Sequence, residues 1–148
     1  KAVGVFVNED ADKVISYLNE GVIDIAQLHG DEDDDYILRV KNSTNKEVIK
    51  AAVVTDKASV EKAFDTKADY VLLDSGKGSG LTFDWRLISN LDKPYFLAGG
   101  LSLDNIGEVM TNISPYAVDV SSGIESMGHK DIKKMHGFAK IVRKEVSV

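Results

Sequence analysis

The sequence predicts an α/β fold built on a parallel sheet, and two observations lead to that prediction. Short apolar runs rich in β-branched residues recur along the chain, as expected of strands buried on both faces. Amphipathic stretches with apolar residues at helical spacing separate those runs. Such alternation indicates parallel strands joined by right-handed crossovers. Because no linker or low-complexity segment divides the chain, we expect one domain over residues 1–148.

Six strands are predicted, at residues 2–7, 23–28, 48–54, 70–73, 94–98 and 116–120. The clearest helical stripe consists of Ile132, Met135, Phe138, Ala139 and Val142. Four residues stand where helix caps are expected, namely Asp10, Asp31, Asp56 and Ser102. A closed barrel of eight such strand–helix units typically needs roughly 200–250 residues. The chain therefore has six units where a closed barrel has eight.

Composition excludes several classes of protein. The net charge of −6 argues against a general nucleic-acid binder, which needs a basic surface. The chain has no cysteine, so disulfides, thiolate metal sites and a cysteine nucleophile are absent from these residues. No apolar run approaches the roughly 20 residues of a membrane helix, and no signal peptide is visible. We expect a cytoplasmic protein that binds neither nucleic acid nor membranes.

Asp74 is the candidate general acid. In parallel α/β folds ligands bind at the carboxyl ends of the strands, and Asp74 directly follows the apolar run Val71-Leu72-Leu73. A carboxyl group beside a low-dielectric core can act as a general acid. The alternative is a helix cap or a hydrogen bond within the loop.

Two small-residue turns, at the ends of the last two predicted strands, suggest a phosphate site. Gly99-Gly100 ends the fifth strand and Ser121-Ser122-Gly123 ends the sixth. Glycine lets the backbone approach an anion, serine adds a hydroxyl donor, and the helices that follow add free N–H groups. Barrel enzymes often bind phosphate at this place. The alternative is two ordinary tight turns.

Three further features are less specific. His29 ends the second strand and is either a ligand or acid–base residue or a histidine hydrogen-bonded at the barrel mouth. Gly76–Gly80 is a glycine-rich segment that is either a mobile loop or a lid. The acidic run Asp31–Asp35 is expected to be a solvated first helical turn. No spacing of His, Asp and Glu suggests a metal site.

The motifs together resemble one enzyme family. They are, in chain order, VGVFVNE, QLHGDE, VLLDS, GSGLTFDW, LAGGLSLDNI and AVDVSSGIE. In this combination they resemble phosphoribosylanthranilate isomerase, an enzyme of tryptophan biosynthesis. The resemblance extends from the first residues to the last helix. The TFDW and QLHG context argues against another phosphate-binding barrel enzyme, such as an epimerase.

The resemblance implies a TIM-type (β/α)8 barrel and an Amadori rearrangement of a phosphorylated small molecule, without cofactor or metal. In this reaction a general acid protonates the ribose ring oxygen, and a base removes the proton from C2′. The site residues that the resemblance implies are Asp74 as the acid, Gly99, Gly100, Ser121 and Ser122 as phosphate-binding turns, Asp119 as a strand acid near the ligand, and His29 as a mouth residue.

The sequence also departs from the family pattern. Its first strand resembles the family's third, so the first two βα units have no counterpart here. The family's base is a cysteine on the first strand, and the chain has no cysteine. Neither Arg39 nor Arg86 replaces the arginine that helps to hold the substrate's carboxylate. We therefore expect a complementing N-terminal segment or self-association through open sheet edges. The alternative to the isomerase is a non-catalytic phosphate-ligand-binding pseudoenzyme.

Overall fold

The computed structural model describes residues 1–76, 82–88, 91 and 93–145. Strands and helices alternate in the order β1 (Val3–Phe6), α1 (Ala11–Asn19), β2 (Ile25–Leu28), α2 (Asp34–Thr44), β3 (Val48–Val53), α3 (Lys57–Ala63), β4 (Tyr70–Asp74), β5 (Tyr95–Leu97), α4 (Ile106–Asn112), β6 (Ala117–Val118), β7 (Glu125–Ser126), β8 (His129–Lys130) and α5 (Ile132–Glu145). Two short 3-10 helices, Trp85–Ile88 and Ser122–Ile124, lie between β4 and β5 and between β6 and β7.

The sheet has the topology predicted from the alternating pattern. Its six strands are ordered β1-β2-β3-β4-β5-β6, so neighbours in the chain are neighbours in the sheet. The pairs β1–β2, β2–β3 and β5–β6 are parallel, with Val3 opposite Ile25 and Phe96 opposite Ala117 in register. The α/β prediction is confirmed. The strands β7 and β8 form a separate antiparallel hairpin.

The chain divides into two compact units. The first comprises Lys1–Ala52 and Glu61–Leu72, and the second comprises Val53–Val60 and the described residues from Leu73 onward. In the first unit, one face of the sheet packs against α1 and α2. The fully buried side chains of this core are Val14, Leu18, Ala26, Leu28, Ile37, Val40 and Val48. The expectation of one domain over residues 1–148 stays a prediction.

The caps of the first unit agree with the sequence at α1 and differ at α2. Asp10 caps α1, since its carboxylate accepts a hydrogen bond of 2.8 Å from the Asp12 N–H. The prediction for Asp31 is wrong, because Asp33 caps α2 and accepts 2.9 Å from the Tyr36 N–H. The helix begins late because the backbone of Asp31 is held elsewhere, its N–H donating to Asn8 Oδ1.

In the second unit, the apolar residues of α4 are buried, whereas the stripe of α5 is only partly buried. Ile106 and Val109 of α4 and Phe138 of α5 are buried. The predicted stripe of α5 is wrong in its first turn, where Ile132 is 72% exposed and Met135 is 43% exposed. The helix therefore contributes to the core mainly through its middle.

Two other predictions about the second unit need correction. Asn105, rather than Ser102, immediately precedes α4, and Ser102 contributes its carbonyl oxygen to the Ile106 N–H at 3.0 Å. Asp119 was expected within the sixth strand, yet β6 ends at Val118. Apolar runs continue past the hydrogen-bonded ladder, so the pattern overestimates strand length.

None of the helices within the described ranges is both long and apolar enough to cross a membrane.

Truncating Leu28 tests the core of the first unit. Leu28 is 0% exposed, and Leu28→Ala should lower the free energy of unfolding by about 2–5 kcal/mol because it leaves a cavity. Leu38 on α2 is 37% exposed, so Leu38→Ala is the matched control and should cost far less. Urea unfolding followed by circular dichroism measures both, and equal losses would contradict the assigned core.

Candidate functional site

Asp74 lies at the end of β4, where backbone hydrogen bonds hold the strand on both sides. Its carbonyl oxygen accepts a hydrogen bond of 2.8 Å from the Val54 N–H. The preceding carbonyl, of Leu73, accepts 2.8 Å from the Ala98 N–H, next to β5. The carboxylate of Asp74 is half-buried, and its Oδ1 accepts 3.1 Å from the Gly76 N–H. The predicted acid is thus presented by a rigid strand end.

Gly99 packs directly against this acid. Its φ of +84° lies in the left-handed region that favours glycine. A Cβ at Gly99 would lie 2.6 Å from Asp74 Oδ1 and would overlap the Ser75 hydroxyl. The missing side chain therefore leaves room for the Asp74–Ser75 segment. Glycine is therefore favoured at this position because any side chain would clash with the carboxylate of the acid.

A cavity of about 340 Å³ opens beside these turns, at the lower end of the roughly 300–1,000 Å³ usual for small-molecule sites. Its lining residues are Thr82, Gly100, Leu101, Ser102, Asn105, Ser122 and Gly123. Two predicted phosphate-site residues, Gly100 and Ser122, thus line one cavity. The polar lining consists of hydroxyl, amide and backbone groups, which can donate hydrogen bonds to an anion.

Asn105 holds the glycine turn of the cavity, a role the sequence analysis did not assign. Its Nδ2 donates to the Gly100 carbonyl at 2.8 Å, and its Oδ1 accepts from the Ser102 N–H at 2.9 Å. The signal was present in the spacing GGL-x-x-x-N. The two turns also touch closely, because a Cβ at Gly123 would overlap the carbonyl oxygen of Leu101.

Ser121 and Asp119 stand outside the lining of that cavity. The Lys130 ammonium donates to the Ser121 carbonyl at 2.9 Å and to its hydroxyl at 3.2 Å. Lys130 also forms an ion pair with Glu125 at 2.6 Å, so the hairpin is tied to the serine turn. Asp119 is exposed, and its N–H donates 2.8 Å to the Leu97 carbonyl.

His29 lies in the first unit, one residue past β2. Its N–H donates 2.8 Å to the Phe6 carbonyl, continuing the ladder between β1 and β2. Its Nδ1 lies within hydrogen-bonding distance, 3.2 Å, of the Nε2 of the buried Gln27. The structure therefore gives this histidine a defined orientation.

The acidic run Asp31–Asp35 is not uniformly solvated, because Glu32 is buried. Its side chain is 1% exposed and forms an ion pair of 2.9 Å with Lys50. Burial by itself would raise the pKa of Glu32. Hydrogen bonds from Lys50 and the Asn8 N–H outweigh that effect and lower the pKa below its usual value. The sequence does not indicate this pair, because the two residues are far apart in the chain.

Comparison with known proteins identifies the family. The family profile described as N-(5'phosphoribosyl)anthranilate (PRA) isomerase matches residues 1–141. N-(5'-phosphoribosyl)anthranilate isomerase of Endomicrobium trichonymphae is 44% identical over 148 residues, which cover 97% of this chain and 72% of that protein. The chain belongs to the N-(5'-phosphoribosyl)anthranilate isomerase family.

Solved structures agree with this assignment. The crystal structure of phosphoribosyl anthranilate isomerase from Thermotoga maritima has a TM-score of 0.84 and 34% identity, covering 96% of this chain and 72% of that chain. A crystal structure of the isomerase with reduced 1-(o-carboxyphenylamino)-1-deoxyribulose 5-phosphate has a TM-score of 0.81 and 33% identity, over 96% of this chain and 71% of that chain. The α/β fold described above is therefore that of the isomerase family, of the TIM type.

Within this isomerase-family chain, the structure brings together part of the predicted site. Asp74 contacts Gly99, and Gly100 and Ser122 line the neighbouring cavity. His29 belongs to the other compact unit. The segment Gly76–Gly80, predicted to be a loop or lid, lies outside the described residues except for Gly76. In the described part of the chain, no group of three or more His, Asp or Glu side chains could hold a metal ion.

Removing the Asn105 amide should loosen the cavity. Asn105→Ala deletes two hydrogen bonds of roughly 1 kcal/mol each, so we expect affinity for inorganic phosphate to fall by at most about 30-fold. Asn112→Ala, at the exposed end of α4, is the control and should leave affinity unchanged. Titration with phosphate, followed by the amide resonances of Gly100 and Ser122, measures both. Unchanged affinity in Asn105→Ala would contradict the role of the amide.

The Glu32 carboxylate should make stability depend on pH in a defined direction. Its folded pKa is lowered, so its contribution is complete above the unfolded value of about 4.3 and is lost as pH falls through the folded value. The difference in unfolding free energy between wild type and Glu32→Gln should therefore be largest near pH 7 and shrink below about pH 4. Glu61→Gln, at an exposed site, is the control. Urea titrations across this range measure the effect, which a pH-independent difference would refute.

Proposed function

We propose that the chain isomerises N-(5′-phosphoribosyl)anthranilate to 1-(2-carboxyphenylamino)-1-deoxyribulose 5-phosphate, a step of tryptophan biosynthesis. The observation that carries this proposal is the contact between the predicted acid and the predicted phosphate turn. Gly99 lies against Asp74, and the next residue, Gly100, lines the cavity. One ligand bound by its phosphate can therefore reach the carboxyl group with its sugar. The names of relatives matched over 97% of this chain support the same function.

The reaction begins with proton transfer from Asp74. The protonated carboxyl gives its proton to the ribose ring oxygen while the bond from that oxygen to C1′ breaks. The nitrogen lone pair then forms a double bond to C1′. Loss of the C2′ proton to a base moves electrons back to nitrogen and gives an enol with a C1′=C2′ double bond. C1′ then gains a proton while the enol hydroxyl loses its proton, which gives the C2′ ketone. No oxidant is needed, because the hydrogens are only redistributed.

The phosphate holds the substrate in place while these steps occur. Gly100 and Ser122 are proposed to contact the phosphate oxygens, and Gly99 and Ser121 to shape the same turns. His29 and Asp119 are proposed to contact other parts of the substrate. Fixed donors around a non-reacting group contribute to catalysis by orienting the reacting atoms.

These residues do not include the group that acts as the base in the family. The resemblance assigns it to a cysteine, and the sequence has none. We propose that the 148 residues correspond to six of the barrel's eight βα units and that the base belongs to the remainder of the fold. The relatives' names do not favour a pseudoenzyme, the alternative derived from the sequence. The cytoplasmic location stays a prediction.

Replacing the acid is the direct test of this function. The test uses the protein as its gene encodes it, rather than the 148 residues alone. Asp74→Asn should lower kcat by about 100-fold or more, because an amide does not act as a general acid. The Kd for inorganic phosphate should change little. Asp56→Asn, at the start of α3, is the control and should keep kcat. Turnover of N-(5′-phosphoribosyl)anthranilate is the measurement. An Asp74→Asn variant that keeps most of its kcat would remove Asp74 as the acid.

The 148-residue chain alone should bind phosphate ligands with little turnover, because the cysteine base is absent. Calorimetry with inorganic phosphate and an isomerase assay on one sample measure the two properties. Light scattering on that sample tests self-association. The edge strand β1 offers Val3 and Val5, which are 44% and 60% exposed, and Val7 just past its end is 65% exposed. Robust turnover would contradict the expected need for a separate base. A monomer at every concentration would contradict self-association.

A further inference from the structure

One buried carboxylate holds the turns that follow β1 and β2. Glu32 Oε1 accepts a hydrogen bond of 2.7 Å from the N–H of Asn8, in the segment that follows β1. Glu32 Oε2 accepts 2.9 Å from the N–H of Gly30, in the segment that follows β2. The same oxygen accepts 2.9 Å from Lys50 Nζ on β3. One side chain therefore connects the segments that follow β1 and β2 to a lysine within β3.

The peptide groups on both sides of Gly30 are held. Its N–H donates to Glu32, and its carbonyl oxygen accepts 2.6 Å from Lys50 Nζ. Asn8, in the left-handed region at φ 52°, accepts 2.7 Å from the Asp31 N–H with its side chain. A Cβ at Gly30 would lie 2.8 Å from the Asn8 backbone nitrogen and would overlap its side-chain oxygen. The turn therefore has little freedom to shift.

This fixed turn begins at His29. The His29 N–H is bonded to the Phe6 carbonyl, and the next residue, Gly30, is held by the Glu32–Lys50 pair. The imidazole is oriented on one side by Gln27. A change in the path of the backbone after His29 would move its Cα and ring together.

Stability alone is a poor explanation for this pair. Replacing a buried ion pair by apolar side chains is often neutral or stabilising, because desolvation of both charges opposes their attraction. Here each charged group also bonds to backbone atoms of the turn. Such directional bonds determine where a segment lies, which an apolar contact does less well.

We propose that Glu32 and Lys50 are positioning residues that place His29 for contact with the substrate. The kinetic part of this proposal rests on the proposed isomerase function. The placement of His29 itself does not, and it can be tested without turnover. Neither residue is proposed to touch the reacting atoms.

The test compares two lysine-to-methionine variants. Lys50→Met removes the ammonium that holds the Gly30 carbonyl and keeps most of the side-chain volume. Lys41→Met removes another partly buried pair of the same unit, with Asp69 at 2.7 Å, which does not involve the His29 turn. Lys41→Met therefore controls for the loss of an ion pair as such. Glu32→Gln tests the same ion pair by removing the charge of the carboxylate instead of the ammonium.

The first readout is the nitrogen NMR spectrum of the imidazoles in the encoded protein, with the His29 signal assigned by His29→Ala. Lys50→Met and Glu32→Gln should shift the His29 resonances and leave those of His129 and His136 in place. Lys41→Met should shift none of them. An unchanged His29 signal in folded Lys50→Met would overturn the proposal. So would loss of folding in Lys50→Met while Lys41→Met folds, since the pair would then be structural.

The second readout is a double-mutant cycle on kcat/KM. Lys50→Met should lower kcat/KM by about 10- to 100-fold, because a displacement of roughly 1 Å at a substrate-positioning group can cost 100-fold. In a His29→Ala background, Lys50→Met should cost little more, since both changes remove one interaction. Independent effects that multiply would overturn the positioning role. Wild type without turnover but with shifted His29 signals in Lys50→Met would contradict the isomerase function and leave the placement confirmed.

Discussion

The absence of a side chain at Gly99 is the constraint on which the site of the second unit depends. The residue adopts a φ of +84°, and the space where a Cβ would stand is occupied by Asp74 Oδ1 and the Ser75 hydroxyl. Any other residue would strain the backbone and push the carboxyl group away. Because Gly100 follows at once and lines the cavity, the same peptide sets the distance between acid and cavity.

The two units fix their turns by opposite means. In the second unit, the turns rely on glycines, which lack a Cβ. Gly123 packs so closely on the Leu101 carbonyl that no side chain fits there. In the first unit, a buried ion pair fixes the turns. Glu32 and Lys50 bond to each other and hold the backbone through three hydrogen bonds. Close packing excludes alternative backbone conformations because they would clash. The buried ion pair favours one conformation because its hydrogen bonds are directional. In both units, the short segment that follows a strand is restricted to one backbone conformation.

The sequence predicts strands well where both faces of the strand are buried. It predicts the helix caps less well. All four residues of β2 are buried, and its apolar run located it correctly. Strand ends were misplaced because residues such as Val7 are apolar without taking part in the ladder. Glu32 could not be singled out, because five adjacent acids look alike until the partner lysine is brought near by folding. Asn105 stood in a quoted motif, yet its role depends on the carbonyl that it meets.

The described lining of the cavity contains no lysine or arginine, so the groups that these residues offer a phosphate are neutral. The oxygen and one N–H of the Asn105 amide are used by Ser102 and Gly100, which leaves hydroxyls, backbone N–H groups and the second amide N–H for the ligand. Backbone donors point correctly only if the turns keep their path. On the proposed function, phosphate recognition therefore depends more on turn geometry than on charge. Loss of a single hydroxyl should matter less than a side chain added at Gly99 or Gly123.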